Sequence, residues 1–118
     1  VIAGDIDPES VRVARENGTL NQVGARIHAV RATGYAHRTI AAHRPYDLIT
    51  ANILARPLCK LARNLARHLA PGGVAILSGL LNSQETQVLS AHRMQGLVLT
   101  GRVRRDGWST LILRRGRR

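Results

Sequence analysis

The chain has 118 residues, 18 of them basic and 7 acidic, for a formal net charge of +11; 44% are hydrophobic and only 21% charged. That suits one domain able to bury a core, and it excludes a disordered chain or, with no apolar run near the roughly 20 residues a bilayer needs, a spanning helix. A single cysteine, Cys59, excludes an internal disulfide framework and a clustered-thiolate metal site. No secretory leader is visible, so the expected compartment is the cytoplasm.

Charge is unevenly placed. Val1 to Cys59 carries seven arginines and five acids, whereas Lys60 to Arg118 carries eleven basic residues and two acids. A basic half of this kind suits contact with RNA or a ribosome, because arginines pair with phosphates. Aromatic residues make up only 3% of the chain, which leaves few platforms for base stacking.

Val1 to Gly4 is an apolar run that stops at Asp5. Asp7, Pro8 and Glu9 then supply an N-cap, a first-turn proline and a first-turn acid for a helix running to about Asn21. The chain thus opens inside a strand, and it reads as part of something longer. Ala25 to Val30 is a second, poorer strand, and 31–44 reads as a loop with at most one helical turn. Tyr46 to Ala51 is a third strand with Asn52 at its carboxyl end. Leu54, Leu58, Leu61, Leu65 and Leu69 recur at helical spacing, with Lys60, Arg63 and Arg67 on the other side, until Pro71-Gly72-Gly73 ends the helix.

Val74 to Ser78 reads as a continuous, largely apolar run that stops at Gly79, as in a central parallel strand covered on both faces. Asn82 and Glu85 form a capping-box variant for a helix that turns Val88, Leu89 and Met94 inward. Leu97 to Val103 and Trp108 to Leu113 alternate around Arg105-Asp106-Gly107, a tight-hairpin signal, and 114–118 reads as a basic tail. Strand-helix units closed by an antiparallel hairpin describe an α/β fold, in which ligands bind beyond the carboxyl ends of the parallel strands.

Two polar residues occupy such ends. Asp5 can accept hydrogen bonds from both hydroxyls of a ribose, or it can cap the turn that follows it. Asn52 can accept a hydrogen bond from an amine and aim its lone pair, or it can cap the helix beginning near Ala55. The five histidines lack helical metal-ligand spacing, so no metal is expected, and Cys59 on the leucine-rich helix reads as a small core residue.

Four segments taken together carry a resemblance. They are Val1-Ile2-Ala3-Gly4-Asp5-Ile6-Asp7-Pro8, Tyr46 to Leu58 with its Ala51-Asn52-Ile53-Leu54-Ala55 centre, Pro71-Gly72-Gly73, and Leu77-Ser78-Gly79-Leu80-Leu81. They resemble the Rossmann-like S-adenosylmethionine-dependent methyltransferases, and more narrowly the family that methylates ribosomal protein L-eleven. The resemblance implies a mostly parallel Rossmann-like sheet with a carboxyl-terminal antiparallel hairpin, present here from its second strand onward, residues 1–118. It also implies Asp5 on the cofactor ribose, Ile6 against the adenine, and Asn52 as the catalytic residue at the cofactor and substrate-amine end of the third strand. Methyl transfer in that family goes to lysine and N-terminal amines by positioning, without metal or covalent nucleophile.

Three departures stand out. No Gly-x-Gly loop occurs, the family's separate substrate-recognition domain is expected to lie outside this stretch, and no acid lies near Ala32 and Thr33 to meet the adenine amine. The first strand and its glycine-rich loop are expected to be absent from this stretch, so the chain alone is expected to bind S-adenosylmethionine weakly or not at all. A rival reading is a basic RNA- or ribosome-binding module using Arg102, Arg104, Arg105 and the tail. Another is a methyltransferase of RNA or a small molecule, against which Asn52-Ile53-Leu54 lacks the Asn-Pro-Pro-aromatic pattern of base-amino methyltransferases.

Overall fold

The structure, a computed structural model, describes residues 2–5, 8–21, 28–31 and 34–116; for Asp5 and 28–31 it describes the backbone only. Contacts divide the chain into two units, Val1–His43 and Arg44–Arg118.

The first unit is a strand-helix-strand element. Strand β1 (Ile2–Asp5) and β2 (His28–Arg31) pair in parallel, from Ile2 opposite His28 to Asp5 opposite Arg31. Helix α1 (Pro8–Leu20) starts at the expected proline, buries Val11 and Gly18, and holds Arg12 between Glu9 and Glu16 on its solvent side. The first part of the expected second strand, 25–27, lies outside the described residues, as do Ile6 and Asp7; the strand itself continues one residue past Val30. In the expected loop, α2 (Arg38–Ala42) is a short helix whose first turn is capped by His37 Nδ1, which accepts from the Thr39 N–H at 3.0 Å.

The second unit is a four-stranded sheet in the order β3 (Tyr46–Asn52), β4 (Leu69–Leu81), β6 (Trp108–Arg115), β5 (Leu97–Arg105). Only β3 and β4 run parallel; β6 is antiparallel to both β4 and β5. Among the described residues β3 pairs with β4 alone, and β1 with β2 alone. The last strand thus inserts between β4 and β5, which places the hairpin turn at the carboxyl end of β4, where Leu81 faces Trp108.

Register decides the core. Ala75, Leu77 and Leu80 of β4 face Leu113, Leu111 and Ser109 of β6, and all six are buried on one side of the sheet. Helices α3 (Ala55–Lys60), α4 (Ala62–His68) and α5 (Glu85–Arg93) contribute Leu58, Leu65, Val88 and Leu89 to the same core. The opposite face presents Leu48, Val98, Val103 and Trp108 to solvent.

Four expectations are corrected here. The leucine-rich helix is two helices broken at Leu61, whose φ of −91° and ψ of −1° depart from helical values; Leu54 sits before the first turn, exposed. Strand β4 already pairs at Leu69 with Tyr46, so Pro71-Gly72-Gly73 lies in an irregular stretch of strand and does not separate helix from strand. Met94 is not inward but 83% exposed, because α5 ends at Arg93 and the chain turns away before Gly96. Arg114 and Arg115 are not tail: both belong to β6, and Arg115 Nη1 donates to the Leu69 carbonyl.

The hairpin turn forms where Asp106-Gly107 predicted it. Asp106 has φ 53° and Gly107 φ 83°, the pair of left-handed residues that suits the right-handed twist of the flanking strands. Gly107→Ala is expected to cost about 1 kcal/mol, read as a lower denaturant midpoint at unchanged slope.

Candidate functional site

Asn52 is the last residue of β3, with Ser78 as its Cα partner across the parallel ladder. An asparagine here was open to two readings. Helix α3 is capped by the backbone of Leu54 (φ −61°, ψ 150°) without a side-chain hydrogen bond, so Asn52 is not used as its cap. The Asn52 side chain is exposed, and its Oδ1 lies against the backbone of Gly79 on β4. The carboxamide therefore opens at the carboxyl end of the one parallel pair in this sheet.

Asp5 closes β1, with Arg31 its Cα partner on β2, directly ahead of the α1 segment. It holds the equivalent station in the first unit: the carboxyl end of a parallel strand that feeds a helix. Ile6, expected beside an adenine, lies outside the described residues.

A second polar cluster escaped sequence reasoning. Glu85 does not close a capping box with Asn82; the Leu81 N–H is instead taken by Gln84 Oε1 at 2.9 Å. Glu85 turns inward to 4% side-chain exposure, where Arg102 Nε lies 2.8 Å from Oε1, and Arg104 donates from Nε at 2.8 Å to Oε2 and from Nη2 at 3.0 Å to Oε1. Ser109 Oγ is within hydrogen-bond reach of Glu85 Oε2 and lies 2.6 Å from Asn82 Oδ1. The Arg104 hydrogen bonds, then that of Ser109, hold the Glu85 carboxyl down at about 2 against the opposing effect of burial. A lone acid among arginines was the available signal, since Glu85 and Asp106 are the only acids after Cys59.

This cluster also redraws the basic surface. Arg102 and Arg104, which the rival reading assigned to RNA, are bound by Glu85 on the helix-covered side. Arg105 and Arg114 are exposed on the other face with Trp108, which is the cross-strand partner of Arg105. Cys59 is half-buried, and burial pushes its thiol up. His92 is fully buried, with Nδ1 2.7 Å from the Val88 carbonyl oxygen, an acceptor to which it donates, and burial lowers its pKa.

Residues 1–116 match the family model "Ribosomal protein L11 methyltransferase (PrmA)". The chain belongs to this family. A protein of that name from Bradyrhizobium diazoefficiens is 55% identical over 115 residues, covering 98% of the chain and 39% of the relative. One from Rhodopseudomonas palustris is 49% identical over 113 residues, covering 96% and 38%. The chain thus spans about two fifths of the length of these PrmA relatives. Among solved structures, a ribosomal protein L11 methylase from Lactobacillus delbrueckii subsp. bulgaricus superposes with a TM-score of 0.89 at 31% identity, covering 98% of this chain and 57% of that one. A methyltransferase from Pyrococcus furiosus, at 21% identity and a TM-score of 0.78 over 98% of this chain and 62% of that one, shares the Rossmann-like fold.

Proposed function

We propose that the whole protein carrying this PrmA chain is an S-adenosylmethionine-dependent methyltransferase that modifies amines of ribosomal protein L11 in the cytoplasm. The observation that carries the reading is Asn52: an uncapping asparagine, open at the end of a parallel strand, in a chain of this family. Among the described residues no helix is long and apolar enough to cross a membrane, and no group of three His, Cys, Asp or Glu could hold a metal.

Each unit by itself offers a group that suits part of the cofactor. In the first, Asp5 ends a parallel strand, where a carboxylate would accept from both ribose hydroxyls; in the second, Asn52 ends a parallel strand, where an amide both accepts and donates. A bound S-adenosylmethionine supplies an electrophilic methyl group on a sulfonium. With its amide turned so that the oxygen faces away from Gly79, Asn52 would accept an N–H from the neutral amine and thereby point the nitrogen lone pair along the line of attack. The amine proton leaves to solvent, so the chain needs no strong base.

Contact with ribosomal RNA is a secondary reading that rests on exposed Arg105, Trp108 and Arg114 on one hairpin face. The primary reading is tested with the whole protein, methyl-tritiated cofactor and purified ribosomal protein L11. Label is expected on lysine and N-terminal amines, and Asp5→Ala is expected to raise the cofactor Kd at least tenfold. Cofactor binding without label on L11, or an Asp5 variant that binds as tightly as the parent, counts against it.

A further inference from the structure

Gly79 sits in β4 at φ 80°, next to the Ser78 that faces Asn52, inside the stretch where the β4–β6 register shifts between Leu77 and Leu80. A β-carbon built on Gly79 would overlap Asn52 Oδ1, far inside the 3.0 Å that real Cβ atoms keep. It would lie 3.4 Å from Asn52 Cγ and 3.7 Å from the Ile53 carbonyl oxygen. The volume that a side chain at 79 would fill is thus taken by the Asn52 carboxamide. Exchanging the amide oxygen and nitrogen leaves the conclusion intact, since either atom would collide.

Two other glycines separate this collision from backbone need. Gly96 (φ 86°) and Gly107 (φ 83°) also adopt the left-handed region, yet a β-carbon at either meets nothing within 4 Å. The conformational demand is shared by all three; the contact with a functional side chain belongs to Gly79 alone among them.

We propose that Gly79 is a positioning residue for Asn52. By lacking a β-carbon it lets the carboxamide lie against β4, and this fixes the position from which the amide meets an incoming amine. The inference rests on the reading of Asn52 given above. Any side chain at 79 drives the carboxamide outward, into the space that amine and cofactor would occupy, and a displacement on the order of 1 Å at such a group costs about a hundredfold in rate.

The test compares Gly79→Ala, Gly96→Ala, Asn52→Ala and the Asn52→Ala/Gly79→Ala pair in the whole protein, by melting temperature and by kcat/KM for methyl transfer. Gly79→Ala is expected to lose more melting temperature than Gly96→Ala and to lower kcat/KM at least tenfold, whereas Gly96→Ala keeps the parent's turnover. In the Asn52→Ala background the excess melting loss at position 79 should disappear, because the two sites are coupled through one contact. Equal effects of Gly79→Ala and Gly96→Ala in both readouts, or an undiminished melting loss in the paired variant, overturns the proposal. Full methyl transfer by Asn52→Ala would instead overturn the role given to Asn52, while the melting-temperature cycle decides the Gly79 contact separately.

Discussion

Asn52→Ala is expected to lower kcat/KM for methyl transfer by the whole protein by about a hundredfold or more while leaving its melting temperature close to the parent's. The stability expectation follows from position. Asn52 is exposed at a strand end and caps no helix, so truncation opens no cavity and strands no buried partner. The rate expectation follows from chemistry, because nothing else in the reading of β3 aims the amine. Asn52→Asp adds a sign. A carboxylate at the same place stabilises the ammonium form of the substrate, raises its pKa and moves the rise of activity to higher pH. A pH–rate profile for Asn52→Asp superposable on the parent's would remove Asn52 from contact with the amine.

The second large effect belongs to stability. Glu85 holds Arg102, Arg104 and Ser109 from a side chain 4% exposed, while the two arginines keep 37% and 54% exposure. Glu85→Gln removes the charge and leaves two guanidiniums facing one another, at a cost of about 2 kcal/mol near neutral pH. The arginines can still reach water, which keeps the loss below that of a fully buried pair. The carboxyl sits at about 2 in the folded chain against 4.5 ordinarily, so its contribution is present above about pH 5 and is lost as pH falls through 2. Denaturant titrations across that window should show the parent losing stability on acidification and Glu85→Gln losing distinctly less. Identical acid limbs for the two would mean that the ion pairs contribute nothing to folding.

Strand and helix identities were largely legible because they rest on local signals. The Asp-Gly turn, the proline of α1 and the apolar run of Val74 to Leu77 each determine backbone conformation within a few residues. Local signals misled where a residue's partner was remote. Glu85 carries a capping-box spacing, yet two arginines and a buried serine on the hairpin offered a carboxylate more than one backbone N–H could. Met94 fits the apolar period of α5 by spacing, yet the helix ends one residue before it.

The candidate site divides in the same way. Asp5 and Asn52 could be named from sequence because strand ends before helices are where an α/β fold places ligands, and the quoted motifs supplied the family. Gly79 lay inside one of those motifs without a role. Its role requires knowing that β3 and β4 are parallel neighbours with Asn52 opposite Ser78, a pairing across 26 residues that no local pattern encodes.

Charge, the first property read, shows the boundary most clearly. Sequence alone determined that the chain is basic, that the excess lies beyond Cys59, and that an α/β fold would place its polar residues at strand ends. Only the tertiary structure decided which arginines a carboxylate holds. Alternation along a strand assigns residues to two faces without saying which face the helices cover. Once α5 covers one, Arg102 and Arg104 turn to Glu85 and Arg105 and Arg114 turn to water.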